Sequence, residues 1–70
     1  MIKDKKLDNL IDETAIYLIK EYGLHWMHSL EKIMRSPYTQ ELYDGVKPIP
    51  NCTAERLGEF YMGKLGEINL

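Results

Sequence analysis

The stretch Leu7-Asp8-Asn9-Leu10-Ile11-Asp12-Glu13-Thr14-Ala15-Ile16-Tyr17-Leu18-Ile19-Lys20-Glu21-Tyr22-Gly23 decides the fold. Leu7, Leu10, Ile11, Thr14, Ala15, Leu18 and Tyr22 recur at the three- and four-residue spacing of one helical face. The spacing predicts a helix from about Asp4 to Tyr22. Ile16, Tyr17 and Ile19 carry the apolar stripe beyond that face. A helix apolar over more than half its girth is either sandwiched between neighbours or packed against another chain. Gly23 supplies the stop, since a glycine just past the cap adopts the left-handed turn that closes a helix. Leu24 is then placed to fold back onto Ile19.

Three further helices follow. The second is expected from about Trp26 to Arg35, with Trp26, Met27, Leu30, Ile33 and Met34 on one side and His28, Ser29, Glu31, Lys32 and Arg35 on the other. Its cap position falls on Leu24 or His25, neither a favoured capping residue. Ser36-Pro37 announces a short third helix, Pro37 to about Asp44, with Tyr38 and Leu42 inward and a stop at Gly45. Val46-Lys47-Pro48-Ile49-Pro50 must be extended, because each proline disfavours helix in the residue before it. Asn51 or Thr53 caps the last helix, which runs to about Leu65 on a stripe of Ala54, Leu57, Tyr61 and Leu65. Gly58 and Gly63 fall inside that span, Gly66 is expected to end it, and Glu67 to Leu70 to fray. The expected fold is therefore all-α: one domain spanning residues 1–70, a compact bundle of three main helices and one short one.

Composition bounds the function. At 44% hydrophobic and 29% charged residues the chain is globular rather than disordered. A chain of 70 residues buries only about 60% of the surface its unfolded form exposes, and chains this short often draw stability from disulfides, a metal or a partner subunit. Cys52 is the sole cysteine, so no disulfide forms within one chain. No signal-peptide pattern follows Met1-Ile2-Lys3-Asp4-Lys5-Lys6, and no window reaches the ~18 apolar residues of a membrane span. The expected setting is reducing and cytoplasmic, which leaves the sequon Asn51-Cys52-Thr53 without meaning. A net charge of −2 argues against a nucleic-acid partner, and Lys3, Lys5 and Lys6 are diluted by Asp4 and Asp8.

No residue pattern points to catalysis. There is no nucleophile elbow, no glycine-rich phosphate loop and no recognisable cysteine–histidine spacing. Asp12-Glu13 reads as a solvated acidic pair. His25-x-x-His28, with Glu21 and Glu31 nearby, has the spacing of two zinc ligands on one helical face. A structural zinc site needs four ligands, and Gly23 separates Glu21 from the histidines. No cofactor or metal is expected, and an enzyme-sized pocket is hard to enclose in so short a chain.

Aromatic residues and methionine are plentiful: five tyrosines, Trp26, Phe60 and four methionines. Such residues fill cores and are also enriched at protein interfaces. The helical stripes already supply a core, which leaves Ile16, Tyr17, Ile19, Tyr43, Phe60 and Met62 as surplus and hence as candidate interface residues.

Thr14-Ala15-Ile16-Tyr17-Leu18-Ile19-Lys20-Glu21-Tyr22-Gly23-Leu24, the amphipathic helix after it and Leu42-Tyr43-Asp44 carry a resemblance. The chain resembles small helical proteins of Bacteroides-type bacteria, some encoded beside toxin-like ADP-ribosyltransferase genes. The resemblance implies a helical fold and an antitoxin-like, partner-binding role, and it transfers no functional residue. The expectation is a non-enzymatic protein-interaction module that self-associates as a homodimer or binds another protein. Two alternatives stand beside it. One is a small helix-turn-helix regulator reading nucleic acid through His28, Ser29, Lys32 and Arg35. The other is a helical domain stabilised by metal on His25 and His28.

Overall fold

A computed structural model describes residues 5–65 of the chain. They form four helices and, among the described residues, no strand: α1 (Lys5–Tyr22), α2 (Trp26–Met34), α3 (Pro37–Tyr43) and α4 (Ala54–Tyr61). The expected start at Asp4, the stop at Gly66 and the fraying of Glu67 to Leu70 lie outside these residues. No helix is long and apolar enough to cross a membrane among the residues described.

α1 is the central element, packed against α4 and α2, while α3 leans on α2. It buries Leu7, Ile11, Thr14, Ala15 and Leu18, the stripe read from its spacing. Ile33 and Leu42 complete the main cluster with four of these residues, and Leu57 of α4 is also fully buried. Half-buried Tyr17, Tyr22, Leu24, Leu30, Tyr38, Ile49, Tyr61 and Met62 close over the cluster. The thinnest Cα dimension, 18 Å, accommodates two helical layers at the usual interaxial distance of ~8–10 Å. Each helix therefore keeps a solvent-facing side.

Three local expectations need correction. First, α4 ends at Tyr61 rather than Leu65, because Gly63 is not inside the helix. Gly63 has φ +78°, its N–H donates to the Phe60 carbonyl, and Lys64 N–H donates to the Glu59 carbonyl. That paired return is a Schellman stop, which requires a left-handed residue at this position. Gly45 and Val46 close α3 the same way, on the carbonyls of Leu42 and Glu41.

Second, α2 is rotated relative to the face its sequence advertises. Ile33 is buried and Leu30 packs on the core, as the spacing predicts, but the other buried residue is Ser29 of the expected polar side. Trp26, Met27 and Met34 are exposed instead. Links of only a few residues tether this nine-residue helix at both ends. So short an element takes its rotation from its tethers and from the close approach that a small residue such as Ser29 permits. The Ser29 hydroxyl is buried with no hydrogen-bond partner among the described residues.

Third, the caps differ in chemistry. His25 caps α2 after all: its Nδ1 accepts from Met27 N–H at 3.2 Å. Thr53 caps α4, its Oγ1 accepting from Arg56 N–H at 3.1 Å. Ser36 occupies the cap position of α3 without a side-chain bond, and Pro37 at the first helical position starts the helix.

Gly58 is where α4 meets α1. A methyl group there would stand 2.5 Å from Cδ2 and 2.9 Å from Cε2 of the Tyr17 ring. On an exposed helix, alanine in place of glycine stabilises by up to ~1 kcal/mol. Here the ring is held in place, and the clash reverses the sign. Gly58→Ala is expected to lower stability by about 1–2 kcal/mol, read as a fall of several degrees in melting temperature. His25→Asp has the opposite sign. A carboxylate is a better cap and suits the positive end of the helix dipole, so thermal melts should show a gain of about 0.5–1 kcal/mol.

Candidate protein-interaction surface

α1 and α4 are joined by a hydrogen-bonded clamp. The hydroxyls of Tyr17 and Tyr22 both donate to Oε2 of Glu59, each at 2.6 Å. The two rings meet edge to face with centroids 6.4 Å apart. The clamp brings together residues that no local pattern links, since Glu59 lies 42 positions from Tyr17 and 37 from Tyr22. The hydrogen bonds from Tyr17 and Tyr22 hold the Glu59 carboxyl below the ordinary glutamate range. In return the bond to Glu59, aided by desolvation, pushes Tyr22 up to about 12 and raises Tyr17 as well. Both directions follow from one cause: the two bonds favour an ionised carboxylate and protonated phenols, which is the pairing that ties α1 to α4.

A second polar chain runs through α4, α3 and α2. Thr39 Oγ1 donates to the Ile33 carbonyl at 2.6 Å, so it accepts from the Tyr61 hydroxyl at 2.5 Å. Burial is the main cause that pushes Tyr61 up to about 12. Phe60 stacks edge-on against Tyr38 and Tyr61. At the far end of α1, the Tyr43 hydroxyl donates to Asp8 at 2.8 Å, tying α3 to the first turn.

These contacts place the candidate interface residues. Tyr17, Ile19, Phe60 and Met62 are half-buried, and Tyr17 and Met62 pack on the core. Ile16 and Tyr43 are exposed, at 44% and 43%. The structure does not gather the six into one patch: Ile16 and Tyr17 line a groove between α1 and the start of α4, while Tyr43 lies at the end of α3. The largest exposed apolar side chains on a single helix are on α2: Trp26 at 42%, Met34 at 53% and Met27 at 64%. The helical spacing of these three predicts an inward face. No local pattern places them outward, because Ser29 reads as a polar residue until a neighbouring helix buries it.

The groove measures about 400 Å³ and is lined by Glu13, Ile16, Tyr17, Lys20, Glu21, Ala54 and Glu55. A second hollow of about 230 Å³ lies between α1 and the extended segment, with Cys52, Asn51, Pro50 and Lys6 among its walls. Burial pushes the Cys52 thiol up, more than Arg56 draws it down, so it stays protonated and weakly nucleophilic. The rings of His25 and His28 lie edge to face at 6.2 Å, and His25 spends Nδ1 on the helix cap. No group of three or more metal-ligating side chains converges among the described residues.

The clamp carries an acid-side signature. Because Glu59 is depressed in the folded chain, its contribution is complete above the ordinary glutamate value and fades as pH falls through the lowered one. Melting temperature of the natural chain should therefore fall on acidification below about pH 4.3. Glu59→Gln should melt lower at neutral pH and lose less on acidification. Parallel acid limbs for the two proteins would remove Glu59 as the cause.

Comparison with protein families, with curated proteins and with solved structures finds no match to this chain.

Proposed function

We propose that this chain works by binding protein, and that its first partner is a second copy of itself. The observation that carries the reading is the outward face of α2, where Trp26, Met27 and Met34 stand in solvent. A tryptophan side chain offers up to ~250 Å², so its 42% exposure alone leaves about 100 Å² of mostly apolar area uncovered. With two methionines beside it, the patch enters the size range at which exposed apolar surface marks a contact site. Tryptophan and methionine are also the residue types enriched in interface cores.

The small interior argues in the same direction. Seven apolar residues are fully or almost fully buried among those described. Association adds buried area that a two-layer fold of this length lacks. A free thiol at Cys52 suits a reducing, cytoplasmic setting.

Sedimentation equilibrium on the untagged chain tests this. The expected result is a reversible dimer with a dissociation constant in the micromolar range, as befits a contact of modest area. Trp26→Ser with Met27→Ser should yield a monomer that still melts cooperatively. A natural chain that stays monomeric up to roughly millimolar concentration would overturn the reading.

A further inference from the structure

Two surface features of opposite shape and opposite charge stand on this molecule. One is convex: the exposed Trp26, Met27 and Met34 of α2, a helix that also carries exposed Lys32 and Glu31 and ends at the exposed C-cap residue Arg35. The other is concave: the groove of about 400 Å³ between α1 and α4. Its apolar walls are Ile16, Tyr17 and Ala54, and its charged rim sets Glu13, Glu21 and Glu55 against a single cation, Lys20. None of these charged side chains has an ion-pair partner among the described residues. The α2 face is thus apolar and net basic, the groove apolar and net acidic.

The geometry points to a reciprocal dimer in which α2 of each copy seats in the α1/α4 groove of the other. This rests on the self-association reading and names the surfaces that perform it. Charge selects the arrangement. Pairing α2 with α2 would set cations against cations and leave the acidic groove empty, whereas α2 in the groove matches opposite signs around apolar centres. Area selects the reciprocity. A nine-residue helix is only about 13.5 Å long, so a single such contact falls short of the ~800 Å² per partner of a stable interface. Two equivalent contacts related by a two-fold axis, α2 of each copy on the groove of the other, double the buried area and close the assembly at two copies.

A charge swap tests the arrangement. The first variant carries Lys32→Glu and Arg35→Glu; the second carries Glu13→Lys and Glu21→Lys. Each alone should dimerise at least about tenfold more weakly than the natural chain, measured by sedimentation equilibrium, while still melting cooperatively. An equimolar mixture should recover the dimer, because both contacts are then again between opposite charges. The second variant controls for overall charge, since two glutamates exchanged for two lysines carry the net charge from −2 to +2 without changing its magnitude. Should either variant fail to fold, Lys32→Gln with Arg35→Gln and Glu13→Gln with Glu21→Gln give the same comparison at lower amplitude. If the second variant dimerises like the natural chain, the groove is not the seat and the proposal falls while self-association stands. A mixture that stays dissociated, or one that grows beyond two copies, also overturns it. A natural chain that is monomeric throughout overturns self-association itself.

Discussion

Glu59 receives two phenol hydroxyls on one carboxylate oxygen, and the residue before it, Gly58, leaves room for one of the rings. The rest of the arrangement depends on this pair of neighbours. α1 is the longest helix and touches both α2 and α4, so the way α4 lies on it sets the other contacts. A side chain at position 58 would hold the Tyr17 ring off and carry its hydroxyl away from Glu59. With glycine there, ring and backbone meet closely and the carboxylate caps the contact. The same helix carries Tyr61, two residues further along, to Thr39, whose hydroxyl also donates across the α2–α3 link to the Ile33 carbonyl. One close approach thus propagates through hydrogen bonds to all four helices.

This tie is polar because the apolar supply is thin. A two-layer bundle of short helices leaves each element with one buried side, and the buried apolar set is Leu7, Ile11, Ala15 and Leu18 of α1 with one residue each from α2, α3 and α4 among those described. Tyrosines serve at the margin of such a core. Their rings cover the cluster and their hydroxyls reach the boundary, where Glu59, Asp8 and Thr39 receive them. Tyr38 is the exception, its hydroxyl buried with no partner among the described residues.

The same economy explains the surface. α2 contributes little to the interior, so its larger side chains remain outside, and α1 leaves Ile16 exposed beside the groove for want of a third layer. Both apolar areas sit among charges of opposite net sign that have no ion-pair partner among the described residues. Long-range attraction would bring such surfaces together and apolar contact would hold them, a division of labour common to reversible interfaces.

Helix existence and helix ends were written locally. The stripe from Leu7 to Leu18, the stop at Gly23, Pro37 at the head of α3 and Thr53 at the head of α4 were all legible, because spacing and capping act over three or four residues. Gly63 was misread as interior for want of one fact, the left-handed backbone that makes it a stop. What the tertiary structure alone decided was rotation and partnership. Nothing near α2 says that Ser29 rather than Met27 faces inward, since the tethers and the neighbouring helix set that angle. Nothing near Glu59 says that Tyr17 and Tyr22 will reach it from far along the chain. A sequence states which side chains a helix carries on each face, but which face is buried depends on surfaces that meet only when the chain has folded.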